Sequence, residues 1–269
     1  MHDELLTDAA RRASDYLDSI ARRLVWPTAE SVAGLAAAGG LLPEEPADPL
    51  EVLGLIDRIG SPATVATQGG RYFGFVTGGT QPAALAASWM VSAWDQSAAL
   101  RVMSPAAAAF EDIALDWLRD VLGLPAASAG AVVTGATMAN FTGLAAARHA
   151  LLERADFDVE NDGLFGAPPL TVVVGEEVHV SLVKALGLLG LGRGRVVRVP
   201  VDGQGRMIAE ALPPLDARTS VCIQAGNVNT GAFDPAAEIC RAARAAGAWV
   251  HVDGAFGLFA AMSPPSTGT

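Results

Sequence analysis

Residues 248–257 read Ala-Trp-Val-His-Val-Asp-Gly-Ala-Phe-Gly, a short apolar run that delivers one carboxylate, Asp253, into a turn rich in glycine and alanine. A strand that ends on an acid places charge where desolvation penalises it, unless a partner is waiting. Two readings follow. The carboxylate pairs with the protonated ring nitrogen of a bound cofactor, through a charge-assisted hydrogen bond worth about 1.5–3 kcal/mol, or it caps the turn or helix that follows.

Working back from this stretch, the chain alternates regularly from Gly130 onward. Strands are expected at 131–134, 170–174, 195–200, 220–224 and 248–252, and helices at 136–154, 180–191, 208–212 and 235–246. A polar loop, DFDVENDGLFGAPP, and a turn at Asp202-Gly203 punctuate the series. Strand and helix in succession imply an α/β architecture: a mostly parallel sheet with helices on both faces. In such sheets ligands bind beyond the carboxyl ends of the strands.

That rule gathers four loops on one edge. In VVTGATMANF a glycine turn opens a helix at Ala136, Thr137 and Met138, whose free N–H groups suit an anion. Neither the dinucleotide spacing nor the G-K-[ST] phosphate loop is present, and an ordinary tight turn is the alternative. In GEEVHVSLVKAL, His179 stands near the first helical turn, placed to stack on a flat ring or exchange protons, or simply to cap the helix. In QAGNVNTGAFDP, Asn227, Asn229 and Thr230 offer polar side chains or serve the turn itself. Asp253 completes the set. On these residues the cofactor reading is pyridoxal phosphate, with Asp253 on its ring nitrogen.

Upstream, residues 6–26 carry Leu6, Ala10, Ala13, Leu17, Ile20 and Leu24 at helical spacing, ended by Pro27. Shorter helical pieces at 31–38 and 48–59 flank the loop GGLLPEEPADP. Residues 1–70 thus read as a helical N-terminal arm that packs on another body, a dimer partner being one candidate. Residues 71–81, RYFGFVTGGTQ, read as an aromatic strand, followed by a helix over 83–94. Ser104 and Pro105 form an N-cap and N1 pair. The helix they open aligns Phe110, Ile113, Ala114, Trp117, Leu118 and Val121 on a stripe expected to be core, as are Trp89 and Trp94.

Composition narrows the function classes. The chain has 269 residues and a formal charge of −11, with a pI near 4.7 and a mean hydropathy of +0.34. An acidic chain argues against nucleic acid and anionic membrane as partners, since both reward a basic face. No apolar run approaches the roughly 18 residues of a membrane span, so no membrane is expected. The amino terminus has no apolar h-region. Cys222 and Cys240 suit reduced core positions, which points to the cytoplasm. No metal ligands are assigned, and a small-molecule substrate is expected.

With these residues in view, GATMAN, His179-Val-Ser181, GNVNTGAFD and HVDGAFG resemble the group II pyridoxal-phosphate decarboxylases, the fold type I relatives of glutamate and aromatic-amino-acid decarboxylases. FGFVTGG and SPAAAAFEDIALDWL extend the likeness over nearly the whole chain. The resemblance implies a large domain over 71–269, pyridoxal 5'-phosphate as cofactor, a small amino acid as substrate and a homodimer. It implies that Ala136, Thr137 and Met138 hold the phosphate, and that His179 stacks on the ring and is catalytic. It further implies that Asp253 meets the ring nitrogen, Ala255 packs beside the cofactor, Asn227 approaches the ring edge and Thr77 contacts substrate. Aromatic-decarboxylase relatives carry Thr-Thr where Asn227-Val228 stands and a more aromatic loop near Thr77, so the substrate is left open.

Relatives hold the cofactor through a lysine that follows the Asp253 motif, ahead of a small carboxyl-terminal domain. This sequence stops at Thr269 after the turn-like SPPSTGT, and its only lysine is Lys184, in the helix after His179. The expectation is therefore an incomplete large domain, inactive as it stands for want of that amine. An aminotransferase or carbon–carbon lyase, or a noncatalytic dimerising or phosphate-binding fragment, remain as alternatives.

Overall fold

The computed structural model describes residues 2–263, so all of the turn-like tail except Ser263 lies outside the described residues. The chain divides into two compact units, Met1–Asp95 and Gln96–Thr269.

The first unit is helical. It contains α1 (His2–Ser19), α2 (Ala29–Gly34), α3 (Pro49–Leu55) and α4 (Pro82–Trp94). Thr28 caps α2 by accepting the Ser31 N–H at 3.1 Å, and Asp48 caps α3 at the Leu50 N–H, with Pro49 at the first helical position. Much of what ties α1 to the later turns is polar: Arg12 donates to Asp57 at 2.9 Å, and the Arg23 guanidinium lies 4.6 Å from the centre of the Tyr16 ring. The strand expected over 71–81 does not form. Phe75 and Val76 have positive φ angles of 52° and 29°, a left-handed backbone that breaks an extended run. Phe73 and Phe75 are 93% and 94% exposed.

The second unit begins with α5 (Pro105–Val121), capped by Ser104, whose hydroxyl accepts the Ala107 N–H as expected. It continues through α6 (Ala136–Glu153), α7 (Val159–Asp162), β1 (Thr171–Gly175), α8 (Val180–Leu188), β2 (Val197–Val199), β3 (Thr219–Gln224), α9 (Ala236–Ala245) and β4 (Trp249–Asp253). The four strands form one parallel sheet in the order β2-β1-β3-β4. The segment 131–134 is not a fifth strand. Its Val132 N–H goes to the Glu111 carboxylate at 2.8 Å, and a backbone group spent on a side chain is lost to ladder pairing.

Strand alternation divides the core in two. On one face Val172, Val174 and Cys222 pack against Leu144 of α6 and Leu182, Ala185 and Leu186 of α8. On the other, Val173, Val221 and Ile223 meet Ile239 of α9 together with Val199 and Met207. The stripe on α5 departs from the expectation of core, since Trp117 is 70% exposed and Phe110 is exposed too, and in α4 of the first unit Trp89 and Trp94 are likewise exposed. Helical spacing says which face is apolar but not what covers it.

The face between α8 and the sheet carries much of this unit's stability. Leu186→Ala, at a fully buried position, is expected to lower the unfolding free energy by about 2–5 kcal/mol. Leu188→Ala, 65% exposed two residues on, is expected to stay within about 0.5 kcal/mol of the parent. Urea unfolding of both variants checks the contrast.

Candidate functional site

The carboxyl ends of β1, β3 and β4 bring three loops to one edge, and the start of α6 joins them. Register pairs Cys222 with His251 and Gln224 with Asp253. His251 and Asp253 therefore lie on the same face of β4 as Cys222, the face on which α6 and α8 pack.

Asn140, one turn into α6 and buried, reaches both. Its Nδ2 donates to Asp253 Oδ2 at 3.0 Å and lies 3.1 Å from Ser181 Oγ; its Oδ1 is 2.7 Å from His251 Nε2. The other Asp253 oxygen, Oδ1, accepts the Ala255 N–H at 3.1 Å. The carboxylate is thus held from two sides while the residue stays half-buried. Gly143 makes the approach of α6 possible, since a Cβ there would stand 2.9 Å from His251 Cε1.

His179 is the N-cap of α8, and its Nδ1 accepts the Ser181 N–H at 3.2 Å and lies 2.7 Å from Ser181 Oγ. The ring is otherwise exposed. Its backbone N–H donates to Gln224 Oε1 at 3.1 Å, and Gln224 Nε2 donates in turn to the Glu177 carbonyl at 3.2 Å. Gln224 fastens the β1–α8 loop to the end of β3. Buried Asp234 supports Gln224 from behind, accepting the Gln224 and Met207 N–H groups at 2.7 Å each.

The α6 start is led by Gly135, at φ 148°. The Met138 N–H closes on the Gly135 carbonyl at 3.0 Å, whereas the amides of Ala136 and Thr137 precede any helical carbonyl that could take them. Asn227 is buried in the loop after β3. Its Nδ2 donates to Glu177 at 2.8 Å and its Oδ1 accepts the Asn229 N–H at 2.8 Å, so the side chain is spent inside the loop cluster. In the same loop Gly226, at φ 103°, approaches the turn after β4 so closely that a Cβ would fall 2.8 Å from Phe256. Thr77 belongs to the first unit, exposed in the irregular segment before α4. Lys184 is exposed on α8, whose buried residues are Ser181, Leu182, Ala185 and Leu186.

The sequence reading assigned no role to Asn140, His251, Gln224 or Glu177. A signal for two of them was present: His251 and Asp253 are two residues apart in one strand and so share a face, and Asn140 is a polar residue inside a helix that opens on the same edge.

Asp253 at the end of β4, His179 in the loop after β1 and a glycine-led helix start share one edge of a parallel α/β sheet, the edge where ligands bind in folds of this class. The chain belongs to the pyridoxal-dependent decarboxylase family: the model of the Pyridoxal-dependent decarboxylase conserved domain matches residues 40–268. It is 27% identical over 230 residues to the aromatic-L-amino-acid decarboxylase of Bacillus atrophaeus, covering 82% of this chain and 46% of that protein. It is 30% identical over 208 residues to the human acidic amino acid decarboxylase GADL1, covering 74% of this chain and 39% of that one. The solved structure of mouse CSAD superposes with a TM-score of 0.85 at 26% identity, over 98% of this chain and 56% of that one. Oryza sativa TDC, solved with PLP and tryptamine, shares the fold at a TM-score of 0.84 and 24% identity, over 97% of this chain and 59% of that one. The architecture is thus that of a fold type I large domain, and the chain spans about half the length of the relatives it matches.

The buried histidine ties this site to pH. Burial pushes His251 below its ordinary 6.5, and the nearby Asp253 opposes the shift more weakly. As pH falls below 6.5 the unfolded chain takes up the proton first, so this contribution to stability is complete above that value and drains away as pH falls through the depressed folded value. His149 has the opposite sign, its pKa raised chiefly by the hydrogen bond to Glu160. A wild-type versus His251→Gln comparison isolates the first effect. Wild type is expected to lose more stability than the variant on acidification below about pH 6.5; parallel curves in urea titrations across pH would show that His251 is not held neutral.

Proposed function

We propose that this chain forms the cofactor-binding part of a pyridoxal-phosphate-dependent amino-acid decarboxylase. The observation that carries the reading is the Asp253 carboxylate, fixed at both oxygens and linked through Asn140 and Ser181 to His179. A carboxylate so fixed is prepared to accept from a protonated ring nitrogen with little reorganisation. The open amides of Ala136 and Thr137, with Met138 beside them, supply the phosphate end at the positive pole of α6. His179 covers the ring and exchanges protons, Ala255 packs beside it, and Asn227 approaches the ring edge. The substrate is a small amino acid, and it is the family resemblance alone that assigns Thr77 to it. When bound, pyridoxal phosphate supplies an electron sink for the carbon that loses its carboxylate. The chain's own residues orient that ring and hold its charge. Exposed Lys184 takes no part. The free cysteines, one of them buried, suit a cytoplasmic setting.

Asp253→Asn removes the charge but keeps the shape. It is expected to weaken pyridoxal phosphate binding by about 10- to 150-fold, the equivalent of 1.5–3 kcal/mol, as measured by titration of the chain. Equal affinity would overturn the assignment. Borohydride reduction with peptide mapping is expected to find no specific fixation of cofactor to Lys184. In a longer product of the same reading frame that supplies the missing lysine, carbon dioxide and amine from an amino-acid panel identify a decarboxylase, whereas keto acid would assign aminotransfer instead.

A homodimer is part of the same proposal, supported by the apolar stripe that α5 leaves exposed. Light scattering during gel filtration is expected to show association; a soluble, monodisperse monomer would refute it.

A further inference from the structure

The hydrogen bonds around Asn140 permit one arrangement of protons when the two histidines are neutral. A carboxylate oxygen can only accept, so the Asn140 atom 3.0 Å from Asp253 Oδ2 is its NH2 group. Its oxygen therefore faces His251 Nε2 at 2.7 Å, and that nitrogen must carry the proton. The second N–H of the amide points to Ser181 Oγ at 3.1 Å. A backbone N–H can only donate, so the Ser181 amide at 3.2 Å marks His179 Nδ1 as an acceptor. The Ser181 hydroxyl, 2.7 Å from the same nitrogen, then gives its own proton to it.

We infer that Asn140 is a positioning residue that sets the proton order of the site: it holds the Asp253 carboxylate, keeps His251 as the Nε2–H tautomer, and turns the Ser181 hydroxyl onto Nδ1 of His179. The consequence lies at His179. Its Nδ1 is closed by the helix cap and the serine, and Nε2, carrying the proton, is the ring nitrogen left to meet a ligand. One amide thus serves three partners, each through a different hydrogen or lone pair. Only the carboxamides of Asn and Gln offer two N–H donors and an oxygen acceptor on one planar group. The role assigned to Nε2 rests on the proposed function; the proton order itself does not.

The test needs no cofactor. The sequence has four histidines, so long-range proton–nitrogen spectra of histidine-labelled chain resolve each ring above its titration range. Wild type is expected to show Nε2–H, with Nδ1 bare, at both His179 and His251. Asn140→Ala is expected to move His251 to a tautomer mixture and to shift His179 Nδ1, whereas Ser181→Ala shifts His179 alone. An Nδ1–H tautomer at His251 in wild type, or an Asn140→Ala spectrum unchanged at His251, would overturn the inference. If Asn140→Ala does not fold, the wild-type tautomers decide, and Gly143→Ala, which crowds the His251 ring, is expected to perturb the His251 signals. A cofactor titration separates the two claims: Asn140→Ala should weaken pyridoxal phosphate binding about tenfold. A wild type that binds none would defeat the proposed function, and the tautomers would still decide the role of Asn140.

Discussion

The site depends on a constraint of strand geometry: His251 and Asp253 occupy one face of β4, and α6 must lie close enough for a single buried amide to reach both. Apolar packing sets the distance. Leu144 of α6 and Leu182, Ala185 and Leu186 of α8 bury against Val172, Val174 and Cys222, a non-directional force that brings the helices to the sheet but does not choose their register. The polar contacts choose it. A slip of α6 by one residue would strand His251 and Asn140 without partners in a buried setting, at a cost of about 1–3 kcal/mol for each unsatisfied group. Gly143 completes the arrangement by yielding space to the His251 ring.

A second set of bonds holds the site from the opposite side. Asp234 takes the Gln224 and Met207 amides, and Gln224 takes the His179 amide while donating to the Glu177 carbonyl. Asn227 ties the Glu177 side chain to the loop after β3. His179 is therefore located through its backbone by β3 and through its ring by α8 and, via Ser181, α6. Rigid elements, rather than the loop itself, determine where its free nitrogen stands, and positioning of this kind is what lets a group act without first being ordered.

The regular part of this architecture was legible because its signals are local. Apolar runs bounded by glycine and proline marked β1, β3 and β4, and Ser104-Pro105 marked the start of α5. Residues 71–81 and 131–134 misled for a common reason. Their composition suits a strand, but a strand exists only through a neighbour, and composition does not supply one. The first turns left-handed at Phe75 and Val76, and the second spends an amide on Glu111. The α5 stripe is the analogous case for helices, its pattern clear and its cover unspecified. Asn140 stayed hidden because its partners lie 41 and more positions away, a separation that only the fold closes.

Two alternatives that the sequence left open turn out to be compatible. His179 was either a cap or a site residue, and Asp253 either a turn cap or a cofactor partner. In the structure His179 caps α8 through Nδ1, which leaves Nε2 available, because an imidazole has two nitrogens with separate directions. Asp253 accepts the Ala255 N–H of the following turn with one oxygen and Asn140 with the other, and a carboxylate has about four lone-pair positions. In each case the structural bond occupies part of the group's capacity and fixes the direction of the remainder. Under the proposed function the cap is part of the site: without it the ring of His179 and the carboxylate of Asp253 would be free to rotate, and an approaching ligand would have to order them at its own cost in binding free energy.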